Sequence, residues 1–264
     1  MTAPVFYAPT VTVGGQELPL AEASEPGQIM LLGGEEGRHA AKAQRLRVGE
    51  ELDLVDGLGF RTQGFVIDAT SQPGLMVEVR GSLQEAPTRP QIILVQGLAK
   101  GGRDEQAIET STEVGVDAVI PWQADRSVVR WDPKKRGGVA QRWSRVLVAA
   151  MKQSRRAWLP KLEAPLASTA LTELVGRVHS AGDLVLVCHE SATEPIAGVL
   201  VQNDVSSRAA VYVIVGPEGG ITDQELDGFV GAGAIPVLLG PHVLRSSTAG
   251  PAAIVAVNIE SGRW

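Results

Sequence analysis

Cysteine and aromatic residues are scarce in this sequence of 264 residues. The single cysteine, Cys188, excludes an intrachain disulfide and a metal cluster held by several thiolates. One thiol in a chain of this length is compatible with a reducing compartment. Aromatic residues make up 4% of the chain, which argues against a nucleic-acid platform built from many stacked rings.

Long hydrophobic runs and targeting segments are missing as well. No apolar run approaches the roughly 20 residues that a membrane-spanning helix needs. The N-terminal segment MTAPVFYAPTVTVGG has neither a basic region nor a continuous apolar stretch, so no signal peptide is predicted. The hydrophobic content of 44% and the charged content of 20% are typical of a soluble globular protein. We therefore expect a cytoplasmic protein.

Several familiar catalytic motifs are absent too. The chain has no G-x-S-x-G elbow of a hydrolase and no H-E-x-x-H zinc motif, and it lacks both the P-loop and the G-x-G-x-x-G spacing of nucleotide-binding folds. Its histidines are scattered, so no metal site is predicted. They stand at His39, His179, His189 and His242. Only His189, followed by Glu190 at the end of an apolar run, is placed to line a pocket.

Acidic residues are missing from one segment of an otherwise acidic protein. The formal net charge is −6, yet Pro133 to Leu162 contain nine basic residues and no acidic one. A local basic surface on an acidic protein favours contact with a polyanion, whereas the plainer interpretation is a solvated helix face. The nine residues are Lys134, Lys135, Arg136, Arg142, Arg145, Lys152, Arg155, Arg156 and Lys161.

Two domains of different type are predicted. Residues 1–83 hold short, partly alternating apolar runs punctuated by glycine and proline, which are typical of a small β-barrel. Residues 84–90, with two prolines, are interpreted as a linker. From residue 91 to residue 264, continuous apolar runs alternate with helical patterns. This alternation predicts an α/β domain with a mostly parallel sheet.

One loop of the predicted α/β domain, in the segment VIVGPEGGITDQEL, has the composition of a ligand site. Gly216–Gly220 follow a buried apolar run, and ligands of parallel sheets bind beyond the carboxyl ends of the strands. Glycine permits close approach of the backbone, and Glu218 favours a cationic ligand over a phosphate. Thr222 and Glu225 have the spacing of a helical capping box. A tight structural turn is the alternative interpretation.

A second loop, LLGPHVLRSSTAG, places Arg245 directly before a predicted helix start. Ser246, Ser247 or Thr248 is expected to cap this helix. The arginine needs a carboxylate or a ligand as its partner, and Glu218 is a candidate carboxylate.

These two loops resemble those of one protein family. The pair resembles the RsmE-type ribosomal RNA uridine-N3 methyltransferases of the SPOUT class, in the segments VGPEGGITDQEL and LGPHVLRSSTAGPAA. Two further segments resemble the same family: LVQGLAKGGRDEQAIETSTEVGVDAVIPWQADRSVV and RWSRVLVAAMKQSRRAWLP. The resemblance covers nearly the whole chain in consistent order. The chain departs from the usual pattern in three places. Ser247 and Lys152 each stand where an acidic residue is common, and the HHxxxVLR motif of the N-terminal domain is degraded to Arg38-His39 and Ala43-Gln44-Arg45.

The resemblance implies a PUA-like RNA-binding barrel at the N-terminus and a C-terminal domain with a deep trefoil knot. It also implies S-adenosylmethionine as the cofactor, an obligate homodimer, and a uridine in the decoding-region helix of 16S rRNA as the substrate. The implied cofactor-binding residues are Leu186, His189, Glu190, Val215, Gly216, Pro217, Glu218, Gly219, Gly220, Leu239, Gly240, Val243, Leu244, Ser246, Ser247, Thr248 and Ala249.

Two residues are predicted to be catalytic. Methyl transfer from a sulfonium needs alignment and a competent nucleophile rather than a metal, and uracil N3 must lose its proton. We hypothesise that Arg245 stabilises the resulting negative charge. Glu218 is the second candidate, either as the proton acceptor or as a negative charge beside the sulfonium. Glu190 and Glu113 are further possible acceptors, and solvent is another.

Contacts to RNA are predicted from two basic regions, which would grip phosphates around an unpaired or flipped base. The residues are Arg38, Lys42, Arg45, Arg47, Lys100, Arg103, Arg126, Lys134, Lys135, Arg136, Arg142, Lys152, Arg155 and Arg156.

Three other functions are compatible with the residues. The same fold can methylate another RNA atom, such as a ribose hydroxyl. A non-catalytic rRNA-binding assembly factor is the second, and a nucleotide-phosphate binder is the third.

Overall fold

The computed structural model describes residues 3–70, 74–131 and 138–264. They form two compact units. The first runs to Pro87 and also includes Met151–Leu159, and the second consists of Thr88–Ala150 and Pro160–Trp264. The predicted linker, residues 84–90, spans this division. The return of Met151–Leu159 to the first unit is a feature that no sequence pattern indicated.

The first unit is built on a seven-stranded sheet. Its strands are β1 (Val5–Tyr7), β2 (Thr10–Val13), β3 (Gln16–Pro19), β4 (Ile29–Leu32), β5 (Glu51–Val55), β6 (Phe60–Asp68) and β7 (Leu75–Gln84). They lie in the order β1-β5-β6-β7-β4-β2-β3, and only the pairing of β1 with β5 is parallel. One short helix, α1 (Gly34–Arg38), continues into a π-helical turn at His39–Ala43.

Alternation along the strands builds the core of this unit. In β5, Leu52 and Leu54 are fully buried while the intervening Asp53 is half-buried, because successive side chains point to opposite faces of a strand. These leucines pack in one cluster with Phe6 and Met30. The predicted small β-rich N-terminal domain is confirmed.

Met151–Leu159 is held to the first unit by packing and hydrogen bonds. Met151 and Ala157 are buried in a cluster with Val5 and Val55. The Gly59 N–H donates to the Ala157 carbonyl at 3.1 Å. This segment therefore belongs to the first unit by its contacts, although it is distant from that unit in sequence.

The second unit is an α/β domain whose pairings are all parallel in the described residues. Its strands are β8 (Gln91–Gly97), β9 (Ala118–Gln123), β10 (Lys161–Leu162), β11 (Leu166–Ala167), β12 (Leu184–Cys188), β13 (Ala210–Val215) and β14 (Ile235–Val237). Its helices are α2 (Arg103–Glu113), α3 (Val139–Gln153), α4 (Ser168–Ser180), α5 (Ile196–Gln202), α6 (Asp223–Gly231) and α7 (Ser246–Glu260). The last residues of α3 group with the first unit.

The sheet has the order β10-β9-β8-β13-β12-β14, with β11 beside β9. Helices cover both of its faces. Leu171 of α4 and Phe229 of α6 pack on Ile93 and Val95. On the other face, Gly250 of α7 lies against Leu94. Strands covered on both sides have continuous apolar runs, so the prediction of an α/β domain with a parallel sheet is confirmed.

Within the parts of the chain described here, no helix is long and apolar enough to cross a membrane. The deep trefoil knot stays a prediction.

Candidate functional site

A cleft of ≈600 Å³ opens at the carboxyl ends of β12 and β13. Its volume lies within the range of small-molecule sites. Three segments line it: residues 188–190, 215–221 and 243–246, joined by Ala249. A smaller cavity of ≈110 Å³ adjoins it between residues 188–190 and 237–244. The structure thus brings together all three loops that the sequence indicated.

Most of the predicted cofactor-binding residues line these two cavities. Leu239 and Gly240 line the smaller one. Leu186, Ser247 and Thr248 line neither, and the first two of these are buried. The loops implied by the resemblance, residues 186–190, 215–220 and 239–249, also contain Cys188, Pro241 and His242, which line the cavities. The predictions missed four lining residues, whose place depends on where the strands end: Ile221, Asp223, Val237 and Leu238.

The glycine-rich loop, residues 216–220, is shaped by a close crossing of two chain segments. A Cβ on Gly97 would lie 2.7 Å from the nitrogen of Pro217, a separation that real Cβ atoms do not show. Gly220 has φ +77° and donates its N–H to the Pro217 carbonyl at 2.9 Å. The loop therefore needs glycine at these two positions to take this shape.

Glu218 forms hydrogen bonds with Arg103 and Lys100 rather than with Arg245, the partner considered from the sequence. Its Oε1 accepts from Arg103 Nη1 at 3.1 Å and from the Lys100 N–H at 3.2 Å. The expected ion pair of Glu218 with Arg245 is not formed. Arg103 lines the cleft beside Glu218, so a carboxylate and a guanidinium both face this space.

Glu225 lies buried behind the loop and accepts hydrogen bonds from three segments. The donors are Thr222 (N–H and hydroxyl, both 2.8 Å), the Asp125 N–H (2.9 Å) and the Ser168 hydroxyl (2.6 Å). Burial alone would raise the pKa of Glu225, but these hydrogen bonds to the carboxylate outweigh it and lower the pKa. The capping box predicted from Thr222 and Glu225 is confirmed.

Arg245 occupies the N-cap position of α7, which begins at Ser246. The expected capping by a serine or threonine side chain is wrong, because no side chain bonds the first turn in the described structure. The Arg245 guanidinium is exposed at the cleft and has no hydrogen bond to a described residue. Ser246 Oγ is buried in the cleft wall and also has no partner among the described residues. Nearly all buried hydroxyls in native proteins have a hydrogen-bond partner, so the unpaired Ser246 Oγ is an exception in this wall.

Cys188 ends β12 and His189 follows it, at the junction of the two cavities. Desolvation raises the pKa of the Cys188 thiol to about 12. His189 Nδ1 lies 2.8 Å from Ser191 Oγ. Glu190 follows, exposed and on the rim. Glu113, another proposed proton acceptor, ends α2 and does not line the cleft.

Several residues predicted to contact RNA already have protein partners, although Arg126 and Arg142 are also exposed to solvent. Arg142 pairs with Glu105 at 2.7 Å, and Lys152 pairs with Glu36 at 2.6 Å. Arg126 Nη1 donates to the Gly219 carbonyl at 3.2 Å.

Most of the other basic residues predicted to contact RNA are exposed, and three lie outside the described residues. Those on α1 and just after it are exposed: Arg38, Lys42, Arg45 and Arg47. Lys100 and Arg155 are exposed and Arg156 is half-buried. Lys134, Lys135 and Arg136 lie outside the described residues, so their predicted contacts have no structural account. No group of three or more metal-ligating side chains occurs in residues 3–70, 74–131 and 138–264.

Two family models match the chain, one within the first unit and one mainly in the second. An RNA methyltransferase domain matches residues 85–258, and an RNA methyltransferase PUA domain matches residues 32–73. A ribosomal RNA small subunit methyltransferase E from Mycobacterium bovis is 39% identical over 264 residues, which is 100% of this chain and 94% of the relative. The chain belongs to the ribosomal RNA small subunit methyltransferase E family.

Other members of this methyltransferase family agree in sequence and in fold. The Bacillus subtilis member is 27% identical over 86% of this chain and 89% of its own length. The structure of the Neisseria gonorrhoeae member, bound to S-adenosylmethionine, matches with a TM-score of 0.78 and 26% identity over 98% of both chains. A Legionella pneumophila methyltransferase structure that also holds this cofactor matches equally well, with a TM-score of 0.78 and 26% identity.

Proposed function

We propose that this protein transfers a methyl group from S-adenosylmethionine to N3 of a uridine in the 16S rRNA of the small ribosomal subunit. The observation that carries the proposal is the convergence of the glycine-rich loop, the end of β12 and the start of α7 on one cleft. Membership of the methyltransferase family supports the reaction class. The choice of N3 and of the decoding-region helix rests on the resemblance of the loops.

The residues of the cleft fit S-adenosylmethionine. This cofactor combines a positively charged sulfur with a ribose, an ammonium and a carboxylate. Glu190 and Glu218 place negative charge on the cleft, and Ser246 offers an unpaired buried hydroxyl. Within the glycine-rich loop, Gly219 is exposed and lines the cleft, so its backbone is accessible to a ligand. When bound, the cofactor would supply the methyl group to the nucleophile.

Arg245 is proposed to stabilise the negative charge that uracil acquires when N3 loses its proton. Its guanidinium is exposed at the cleft and is not neutralised by a described carboxylate. A cation fixed at the helix start beside the substrate site can interact with the ring oxygens as charge develops there.

Glu218 is proposed to keep a negative charge at the cleft and to orient Arg103. Glu218 Oε1 already accepts two hydrogen bonds, one from Arg103 and one from the Lys100 N–H, so this oxygen is engaged within the protein. The proton of N3 is therefore proposed to leave to solvent or to Glu190, which lies on the rim.

The target base must leave its helix, because N3 lies on the pairing edge. The exposed residues Arg38, Lys42, Arg45 and Arg47 of the PUA-containing unit are proposed to hold RNA phosphates.

We also propose a homodimer in the cytoplasm. The apolar Val243 at the cleft is 78% exposed, and a second copy would cover it.

The test is methyl transfer to small subunits that lack the modification, followed by nucleoside mass spectrometry. We expect 3-methyluridine with the wild-type protein. Arg245→Ala should lower kcat about 100-fold or more while the Kd for S-adenosylmethionine changes little, as for the loss of one charge-stabilising group. A methylated ribose or another base would assign a different atom. Cofactor binding without any product would favour an assembly factor.

A further inference from the structure

We infer that Glu225 and Arg126 are positioning residues that fix the glycine-rich loop in its ligand-binding shape. This inference rests on the proposed function insofar as the ligand is S-adenosylmethionine. Neither side chain was assigned this role from the sequence, where Glu225 served as a helix cap and Arg126 as an RNA contact.

Glu225 does more than cap α6. A capping box needs one carboxylate oxygen, and Oε2 fills this role by accepting from the N–H and hydroxyl of Thr222. The other oxygen, Oε1, accepts from the Asp125 N–H and the Ser168 hydroxyl. Ser168 in turn accepts from Trp122 Nε1 at 3.2 Å. Oε1 therefore ties the loop after β9 and the start of α4 to the start of α6.

Arg126 carries this connection to the glycine-rich loop. It follows Asp125, whose N–H is fixed by Glu225. Its guanidinium donates to the Gly219 carbonyl at 3.2 Å and lies 3.5 Å from the Ile221 carbonyl. The backbones are also in close contact, since a Cβ on Gly219 would lie 3.0 Å from the Arg126 carbonyl oxygen. The loop is thus held by a chain of contacts that starts at Glu225 and ends at Arg126, which also lines the cleft.

Glutamine cannot replace Glu225 in this arrangement. Every group that faces Oε1 or Oε2 is a donor, and two of these are backbone N–H groups that cannot accept. In either orientation the amide nitrogen of glutamine faces a backbone N–H. Glu225→Gln therefore keeps the size of the side chain but loses the hydrogen bond to one of the two backbone N–H groups, that of Asp125 or that of Thr222.

The first experiment needs no ligand. Hydrogen–deuterium exchange should be faster in Glu225→Gln than in the wild type at the amides of residues 125–127 and 219–222. Asp117→Asn is the matched control, because Asp117 accepts from the Ile92 N–H and from Arg263 at the opposite end of β9. The control should not change exchange in the cleft loops. Unchanged exchange there in Glu225→Gln would overturn the inference.

The second experiment measures S-adenosylmethionine binding by calorimetry. Glu225→Gln and Arg126→Ala should each weaken the Kd by about tenfold, as expected for a buried hydrogen-bond connection that loses a partner. Asp117→Asn should leave the Kd within about twofold of the wild type. In turnover, the KM for S-adenosylmethionine should rise with little change in kcat, which is the opposite of the pattern expected for Arg245→Ala.

The two experiments separate this inference from the proposed function. If the wild-type protein does not bind S-adenosylmethionine, the proposed function fails, and exchange alone decides whether Glu225 fixes the loop. If the wild type binds and both variants bind equally well, the inference fails. Arg126→Lys, which keeps the charge and one donor, should recover part of the affinity if the hydrogen bond to Gly219 is what matters.

Discussion

Gly97, at the end of β8, determines how closely the glycine-rich loop can approach the sheet. Its Cα faces the backbone of Gly216 and Pro217, and a Cβ would come within 2.9 Å of the Gly216 carbonyl carbon. Backbone atoms cannot move aside as the end of a flexible side chain can. The glycine-rich loop can therefore approach the end of β8 this closely only because residue 97 has no side chain.

Gly97→Ala should lower the free energy of unfolding by about 1–3 kcal/mol, the usual cost of overpacking. It should also weaken S-adenosylmethionine binding, since the loop must shift. Urea unfolding and calorimetry measure the two effects. Gly198→Ala in α5 is the control, because nothing lies within 4 Å of the added Cβ. That variant should be as stable as the wild type or more stable by about 0.5–1 kcal/mol.

The lowered pKa of Glu225 predicts a pH dependence of stability. A carboxylate with a lowered pKa stabilises the fold fully above its ordinary pKa of 4.5, and this contribution is lost as the pH falls through the folded-state pKa. The difference in unfolding free energy between wild type and Glu225→Gln should be constant at neutral pH and should shrink on acidification below 4.5. Urea titrations at several pH values test this. A difference that grows in acid would contradict the assignment.

At the scale of single elements, the local signal at the start of α6 was correct, the side-chain cap expected for α7 was wrong, and contacts across the sheet were not predicted. The spacing of Thr222 and Glu225 predicted the start of α6 because a capping box is a contact between near neighbours. The partners of Glu218 could not be predicted, since Arg103 and Lys100 approach it only once β8 lies beside β13. For the same reason, Lys152 and Arg142 looked like free cations and proved to be paired.

The exposed basic residues of α1 and the following turn give a prediction at this scale. Replacing Arg38, Lys42 and Arg47 together by glutamine should weaken RNA binding and reduce its dependence on salt. The slope of log K against log salt should fall by about 2 to 3, at roughly 0.7–0.9 for each phosphate that the protein no longer neutralises. Filter binding at several salt concentrations measures the slope. Replacing Arg177, an exposed residue of the other unit that lies outside the basic segment, should leave the slope unchanged.

At the scale of the whole molecule, the sequence predicted the two domain types and the parallel sheet. It did so because buried parallel strands have continuous apolar runs whereas the strands of the first unit alternate. The return of Met151–Leu159 to the first unit was beyond sequence reasoning, because its few buried residues, Met151 and Ala157, have no distinctive period. Chain topology and assembly, including the knot and the dimer, stay predictions.

The proposed homodimer has a direct test. Sedimentation of the wild-type protein should give the mass of two chains. Val243→Asp should give single chains and weaken S-adenosylmethionine binding, because the exposed apolar residue lies at the cleft. Leu58→Asp changes an equally accessible apolar residue of the other unit, 70% exposed, and should remain dimeric. A monomeric wild type would refute the proposal.

The protonated thiol of Cys188 has a chemical consequence for an enzyme of this class. A cleft that binds an alkylating agent exposes its own nucleophiles to it, and a thiolate is the most reactive of them. Because burial raises the pKa of Cys188 to about 12, its thiol stays protonated at neutral pH. We therefore expect the only cysteine of the chain to resist methylation by a cofactor bound in this cleft.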